Sequence, residues 1–308
     1  MDSSTIIAIF ATIVTASTPL LFAAIGELVV EKSGVLNLGV EGMMLVGAVS
    51  AFAVSTGTGN PYLGILAAIA AGGAMALLFG ILTLSLLANQ VATGLALTLF
   101  GVGLSALIGQ GYVGTPATGL SGIYIPLLSD IPFIGGLLFQ YDIMVYMSLA
   151  LTAAVSWFLF RTRPGLILRA VGESHDSAHA IGYGVIPIRY MAVVFGGMTS
   201  GLAGAYLTLA YTPLWTENMT AGRGWIALAL VVFSTWKPGR LLLGAYLFGA
   251  VTIGQLHIQG LGVAIPSQFL SMLPYLATVI VLVLISRDQL RIRLNAPACL
   301  GKVFHPSA

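Results

Sequence analysis

Residues 26–44 set three carboxylates, a lysine and an asparagine inside a long apolar run: Glu27, Glu31, Lys32, Asn37 and Glu41. Glu27 and Glu31 stand four apart, so on a helix they share a face. Charges inside a membrane are costly and face a cavity or a partner. Two readings follow for this cluster. Either its side chains line or gate a polar path, or Glu27, Glu31 and Lys32 are solvated in a headgroup-level loop joining the first two spans. Glu41 differs, because Gly42 and an apolar run follow it. Its expected task is to cap a helix N-terminus or pair with polar backbone groups. A second set, Asn89 and Gln90, offers amides to an uncharged polar solute or to a neighbouring helix.

A third set spans residues 169–185 and includes Arg169, Glu173, Ser174, His175, Asp176, His179 and Gly182. It reads as a short helix capped by Ser174 or Glu173 and stopped at Gly182. His175, Asp176 and His179 do not read as a metal or catalytic site, because no H-E-x-x-H pattern or third ligand accompanies them. A docking surface fits better. A fourth set, residues 212–225, is polar and bears Trp215 and Trp225. It meets an external partner, shapes an outer vestibule, or is an interfacial loop with the two indoles as belt anchors.

The elements that must position these groups are membrane helices. Between Lys32 and Asp130 the only charged residue is Glu41. Soluble domains carry about one charge in four residues, so this stretch cannot build a soluble surface. The chain has 308 residues, 58% hydrophobic and 7% charged, with mean hydropathy +1.00. Continuous apolar runs indicate helices, since barrel strands would alternate apolar with polar. The 38 glycines suit close helix packing in lipid. Cys299 is the only cysteine, which excludes an intrachain disulfide and a cysteine metal site. No G-x-x-x-x-G-K-[ST] motif is present, so if ATP drives this protein, another chain binds it.

Nine spans are expected, at about 5–25, 38–56, 62–87, 90–110, 141–160, 189–211, 224–236, 241–256 and 269–286. The seventh and eighth are short and are either half-helices or longer than drawn. This makes an all-α polytopic membrane protein with a single transmembrane domain over residues 1–308. Residues 161–188 form an inside loop, with Arg161, Arg163, Arg169 and Arg189 assigned to it. Residues 111–140 form an outside loop with short helices across the outer mouth. Lys32, Lys237, Arg240, Arg287, Arg291, Arg293 and Lys302 fall on the same side as the inside loop, and only Arg223 lies opposite. That asymmetry puts the C-terminus in the cytoplasm and, with nine spans, the N-terminus outside.

Four stretches resemble a known family, in its order. They are residues 31–44 (EKSGVLNLGVEGMM), 89–97 (NQVATGLAL), 169–173 (RAVGE) through Gly182, and 218–229 (NMTAGRGWIALA). The chain resembles permease subunits of bacterial ATP-binding cassette (ABC) importers for nucleosides. These sit within the group that also serves simple sugars and branched-chain amino acids. The resemblance runs from residue 26 to about 285. It implies a type II importer fold in the bacterial plasma (inner) membrane. It implies a second permease subunit of different sequence, cytoplasmic ATPase subunits and an external substrate-binding protein. ATP and Mg would sit on the partners; no cofactor and no metal belongs to this chain, which does no covalent chemistry. Residues 173–182 match the ATPase-coupling helix, with Glu173, His175, Asp176, Ala178, His179 and Gly182 as its expected contacts. Ala178 and Gly182 stand at the small positions of the family's A-x-x-x-G pattern. Glu173-Ser174-His175 replaces the family's common Glu-Asn-Pro, so the helix start is expected to differ.

The implied cargo is a nucleoside, a neutral polar solute containing rings. Glu27, Glu41, Asn89 and Gln90 are the expected pathway or gate positions. A simple-sugar permease is the alternative. A stand-alone secondary transporter, with helix breaks at Pro19, Pro266 and Pro274, is a further one. It would need repeats, an ion site and no docking loop.

Overall fold

The computed structural model describes residues 3–116, 119–124, 126–127, 129, 131, 134–260, 266–286 and 295–305. Asp130, Arg287, Arg291 and Arg293 lie outside the described residues. Twelve α-helices follow in chain order among the described residues. They are α1 (Ser3–Lys32), α2 (Val40–Thr58), α3 (Pro61–Gly80), α4 (Gln90–Gly109), α5 (Ile134–Leu138) and α6 (Ile143–Arg161). The rest are α7 (Arg163–Glu173), α8 (His175–Ala180), α9 (Val185–Tyr206), α10 (Arg223–Phe233), α11 (Pro238–Gly260) and α12 (Ser267–Ser286). Wide π-type turns, Ile81–Ser85 and Leu207–Tyr211, prolong α3 and α9.

Seven helical segments are long and apolar enough to cross a membrane among the described residues. They are Thr5–Lys32, Val40–Thr58, Pro61–Ser85, Gln90–Tyr112, Ile143–Arg161, Val185–Tyr211 and Pro238–Gly260. The eighth expected span is longer than drawn, at 23 residues in α11. The seventh is a half-helix: the 11 residues of α10 rise about 16 Å, half of a hydrocarbon core of roughly 30 Å. The ninth corresponds to α12, 20 residues long. Pro19 and Pro274 lie inside continuous helices and break neither.

Two boundaries differ from expectation. Helix α1 continues through Lys32, so Glu27 and Glu31 belong to it and are buried, not solvated in a junction loop. Arg189 is not in the inside loop but within α9, at 1% exposure. Of the expected helices in 111–140, the described residues show one, the five-residue α5.

The centre is α9, packed between α2 and α3 at backbone distance. Added Cβ atoms show why glycine is needed. One on Gly204 would collide with Met44 O, and one on Gly72 with Gly197 O. Lipid gives helices no hydrophobic drive to associate, so this close dispersion packing holds them. The core around it contains Phe22, Ile25, Leu28, Met44, Tyr206, Leu230 and Phe248. Helix α6 is started by Asp142, whose Oδ1 accepts from Met144 N at 2.9 Å and Val145 N at 3.3 Å. Burial pushes the Asp142 carboxyl up, against the pull of those two N–H groups.

Candidate functional site

Polar side chains gather at two levels. The inner level surrounds the linker 33–39 between α1 and α2. Asn37 Oδ1 accepts from Gly39 N at 2.9 Å, a side-chain turn that starts α2. Glu27 Oε1 accepts from Asn37 N at 3.2 Å. Gln90 Oε1 accepts from Leu36 N at 2.8 Å. The linker thus joins Glu27 of α1 to Gln90 of α4. Both are buried, and Glu27 Oε2 and Gln90 Nε2 have no hydrogen-bond partner among the described residues. Asn89 is not brought to them. It is exposed, and its side-chain oxygen accepts from Ala92 N at 3.0 Å to cap α4.

Glu41 sits elsewhere again. Its Oε1 accepts from Thr220 Oγ1 at 2.5 Å and Gly222 N at 2.8 Å, and its Oε2 from Gly224 N at 2.6 Å. A carboxylate thus takes the free N–H groups at the start of α10, where the helix dipole favours negative charge. Gly222 turns the chain at φ +81°. A Cβ on Gly224 would lie 2.6 Å from Glu41 Oε2. Residues 212–222 thus form a loop that is mostly exposed but tied down at two points, Trp215 and Thr220. Their far end is buried at Thr220 and meets the first turn of α2. Trp215 is no belt anchor: it is 2% exposed, clustered with Val49 and Phe52. Trp225 is 38% exposed.

Glu31, one turn beyond Glu27, accepts from Trp236 Nε1 at 2.6 Å. The turn after α10 delivers that indole through two left-handed residues, Thr235 (φ +50°) and Trp236 (φ +53°). Such backbone is strained for residues with a Cβ and persists where surrounding contacts enforce it. Neither Trp236 nor its partnership is legible from spacing.

The second level is the end of the molecule carrying α7 and α8. Thr162 caps α7 and Ser174 caps α8, the latter accepting from Ser177 N at 3.3 Å. Glu173 closes α7 and is exposed; its carbonyl accepts from Cys299 Sγ at 3.4 Å. His175 and Ala178 face inward and are buried, whereas Asp176 and His179 are exposed. Gly182 is exposed at φ +92° with open space where a Cβ would stand. Ala178 packs against Val171, Val185 and Phe304.

Arg189 reaches this level from α9. Its Nε donates to Ser33 O at 3.2 Å, its Nη1 to Lys302 O at 3.2 Å, and its Nη2 lies 3.3 Å from His175 Nδ1. Guanidinium only donates, so Nδ1 accepts and the imidazole proton is on Nε2, 3.5 Å from Asp176 Oδ1. Burial first and the Arg189 charge second push the His175 pKa down, against Asp176. The sequence signal for Arg189 was a lone cation at the head of an apolar run; Phe304 gave none. No group of three metal-ligating side chains occurs among the described residues.

Residues 9–285 match the family model described as branched-chain amino acid transport system / permease component. The chain is similar to a putative glucose ABC transporter permease protein of Haloferax volcanii, 42% identical over 95% of both chains. It is similar to a nucleoside ABC transporter permease protein of Lactococcus lactis, 35% identical over 87% of this chain and 89% of that one. It is also similar to a guanosine ABC transporter permease protein of Bacillus subtilis, 34% identical over 88% of this chain and 89% of that one.

Proposed function

The chain belongs to the family of branched-chain amino acid transport system permease components, and from that premise we propose that it carries nucleosides inward as the membrane subunit of an ABC importer. It is an ABC-type permease, a multi-pass protein of the plasma membrane. Residues 1–308 act as one transmembrane domain, with the basic end in the cytoplasm. A second, different permease chain completes the path. ATPase subunits dock at α7–α8 and an external binding protein delivers cargo. ATP binding and hydrolysis on the partners shift the permease between inward- and outward-open states; this chain forms no covalent bond with cargo.

One observation carries the choice of an uncharged cargo. The buried carboxylates Glu31 and Glu41 are each spent on groups of the chain itself, Trp236 and the start of α10. Neither is free to pair with a charged solute, and of the three glutamates buried here only Glu27 keeps an oxygen, Oε2, without a partner among the described residues. Two relatives named for nucleoside or guanosine transport support the nucleoside reading. The relative named for glucose supports a second reading, a simple-sugar permease. Glu27 and Gln90 are the gate positions in this proposal. Their orphaned Oε2 and Nε2 flank the 33–39 linker and find partners when that linker shifts. Glu41 holds α10 in place, and Asn89 fixes the start of α4 beside Gln90.

The test is uptake of labelled guanosine into cells with and without this chain, competed by free base, ribose, glucose and leucine. Guanosine uptake lost with the chain, and blocked only by nucleosides, is the expected result. Retained guanosine uptake with glucose or ribose transport lost would overturn the cargo in favour of the sugar reading.

A further inference from the structure

Residues 295–305 cross the end of the molecule that carries α7 and α8, and they are fastened along their length. Lys32 Nζ donates to Asn295 O at 2.6 Å. Cys299 N donates to Gly172 O at 2.9 Å, and Gly301 N to Gly34 O at 3.1 Å. Arg189 Nη1 donates to Lys302 O at 3.2 Å. Phe304 then buries its ring against Val171, Ala178 and Val185. The rings of His175 and His179 meet it edge-on, with centroids 5.2 and 5.4 Å away.

The crossing points are glycines for a steric reason. A Cβ on Gly172 would collide with Lys32 O, and one on Gly34, at φ +86°, would lie 3.3 Å from Cys299 O. One short tail segment therefore touches the α1–α2 linker, α7, α8 and α9 together.

Helix α8 needs such a backing. It has six residues, too few to hold a helix by itself. Its inner side chains, His175 and Ala178, rest on Arg189 and Phe304. Its outer edge, Asp176, Ser177, Ala180 and Ile181, is exposed, as are Lys302 and His305 of the tail.

We propose that residues 295–304 and α8 form one composite docking surface for the ATPase subunit, with Arg189 as the positioning residue that ties them together. The proposal rests on the docking assignment of α8 made above. An ATPase that pushed on α8 alone would roll a single helical turn on its flanking loops. With Phe304 behind it and Arg189 fixed to Ser33 O, the same push is delivered to the linker 33–39. That linker carries the hydrogen bonds to Glu27 and Gln90. The tail thus makes α8 stiff enough to transmit displacement toward the gate.

The test titrates the cognate ATPase subunit against the full-length permease in lipid nanodiscs. Hydrogen exchange of residues 173–183 is followed in parallel. Ile181, 71% exposed, gives the variant that probes α8 alone: Ile181→Asp abolishes ATPase binding if α8 docks. Phe304→Ala is expected to weaken binding by roughly tenfold or more, about 1.4 kcal/mol, and to speed exchange in α8. Phe304→Leu restores both. With ATPase in saturating excess, Arg189→Lys hydrolyses ATP but moves less cargo per ATP, because an ammonium cannot reach three acceptors in the fork geometry. Ile181→Asp blocking while Phe304→Ala binds within about twofold of the unaltered chain would overturn the tail's part and spare the docking assignment. Faster exchange with unchanged binding would overturn it equally. Undisturbed binding in both variants would overturn the docking assignment itself. An unchanged transport-to-hydrolysis ratio in Arg189→Lys would remove Arg189 from the proposal.

Discussion

Glu41 and Gly224 meet across 183 residues of chain, with Gly224 N donating to Glu41 Oε2 at 2.6 Å. Together with Gly222 N and Thr220 Oγ1 on the other oxygen, this contact starts a helix inside the body of the protein. Glu41→Ala leaves those donors buried with no acceptor. Each buried orphan costs roughly 1–3 kcal/mol. The expected result is a clear fall in detergent melting temperature together with loss of uptake. Glu41→Gln keeps one carbonyl oxygen and loses less. Gly224→Ala is expected to resemble Glu41→Ala, because its methyl would occupy the carboxylate's place. If Glu41→Ala melts with the unaltered protein, the cap does not hold α10.

A second pair carries a similar argument at the other end of α10. Trp236 Nε1 and Glu31 Oε2 lie 2.6 Å apart in a buried contact. Trp236→Phe removes the donor and leaves the carboxylate oxygen alone. Replacing Glu31 as well, with Glu31→Gln, exchanges the stranded carboxyl for an amide that donates as well as accepts. The two changes are therefore expected to be non-additive by about 1–3 kcal/mol in a double-mutant cycle read from melting or denaturant unfolding. Additivity within roughly 0.5 kcal/mol would show that the indole is held there by packing alone.

His175 gives a pH dependence with a defined sign. Its pKa in the folded protein is lowered, by burial first and Arg189 second. The unfolded chain therefore binds a proton where the folded one resists it. The stabilisation is complete above the ordinary histidine value of about 6.5, and it is lost progressively as pH falls from there through the lowered value. A protonated Nδ1 could no longer accept from Arg189. Acidification from pH 7.5 toward 5 is thus expected to loosen α8, read as faster exchange of residues 173–183 after correction for intrinsic rates. His175→Asn, which keeps an acceptor without titrating, should flatten that profile. An equally steep profile in His175→Asn would assign the effect to other groups.

Much of this arrangement is readable from local pattern. Apolar run lengths place the spans to within a few residues over most of the chain. Glu41 announces its capping task because a lone carboxylate before an apolar helix has few other places to go. What is not readable is distant pairing. Local pattern left Glu27 and Glu31 either lining a polar path or solvated in a loop, because the hydrogen bonds that make their burial in α1 tolerable come from Asn37 and Trp236. Trp236 is 205 residues from Glu31. Ala178 stands at a small position of the family's A-x-x-x-G pattern, and what packs on it is Phe304, from the far end of the chain. No periodicity in the tail could have indicated that. The half-helix α10 was suspected from its length alone, and the close approach of Gly224 to Glu41 explains where it starts.

The close packing of α9 yields a prediction that separates two roles of glycine in one protein. A Cβ on Gly204 would collide with Met44 O and stand 2.6 Å from Ala48 N, both backbone atoms of α2. Neither can move without displacing the helix, so Gly204→Ala must push α2 and α9 apart. Overpacking of this kind costs typically about 1–3 kcal/mol. Gly103 in α4 and Gly254 in α11 have nothing within 4 Å of their added Cβ. There the same substitution removes a helix-weakening residue and is expected to gain up to about 1 kcal/mol. Detergent melting temperatures should therefore split, with Gly204→Ala below the unaltered protein and Gly103→Ala and Gly254→Ala level with it or above. The split follows from geometry and not from glycine content, since all three lie in helices of similar apolarity. If Gly204→Ala melted level with the two open-site variants, the backbone contact between α2 and α9 would not be what holds the centre together. The hydrogen bond from Thr208 Oγ1 to Ala48 O would then be the next candidate for that task.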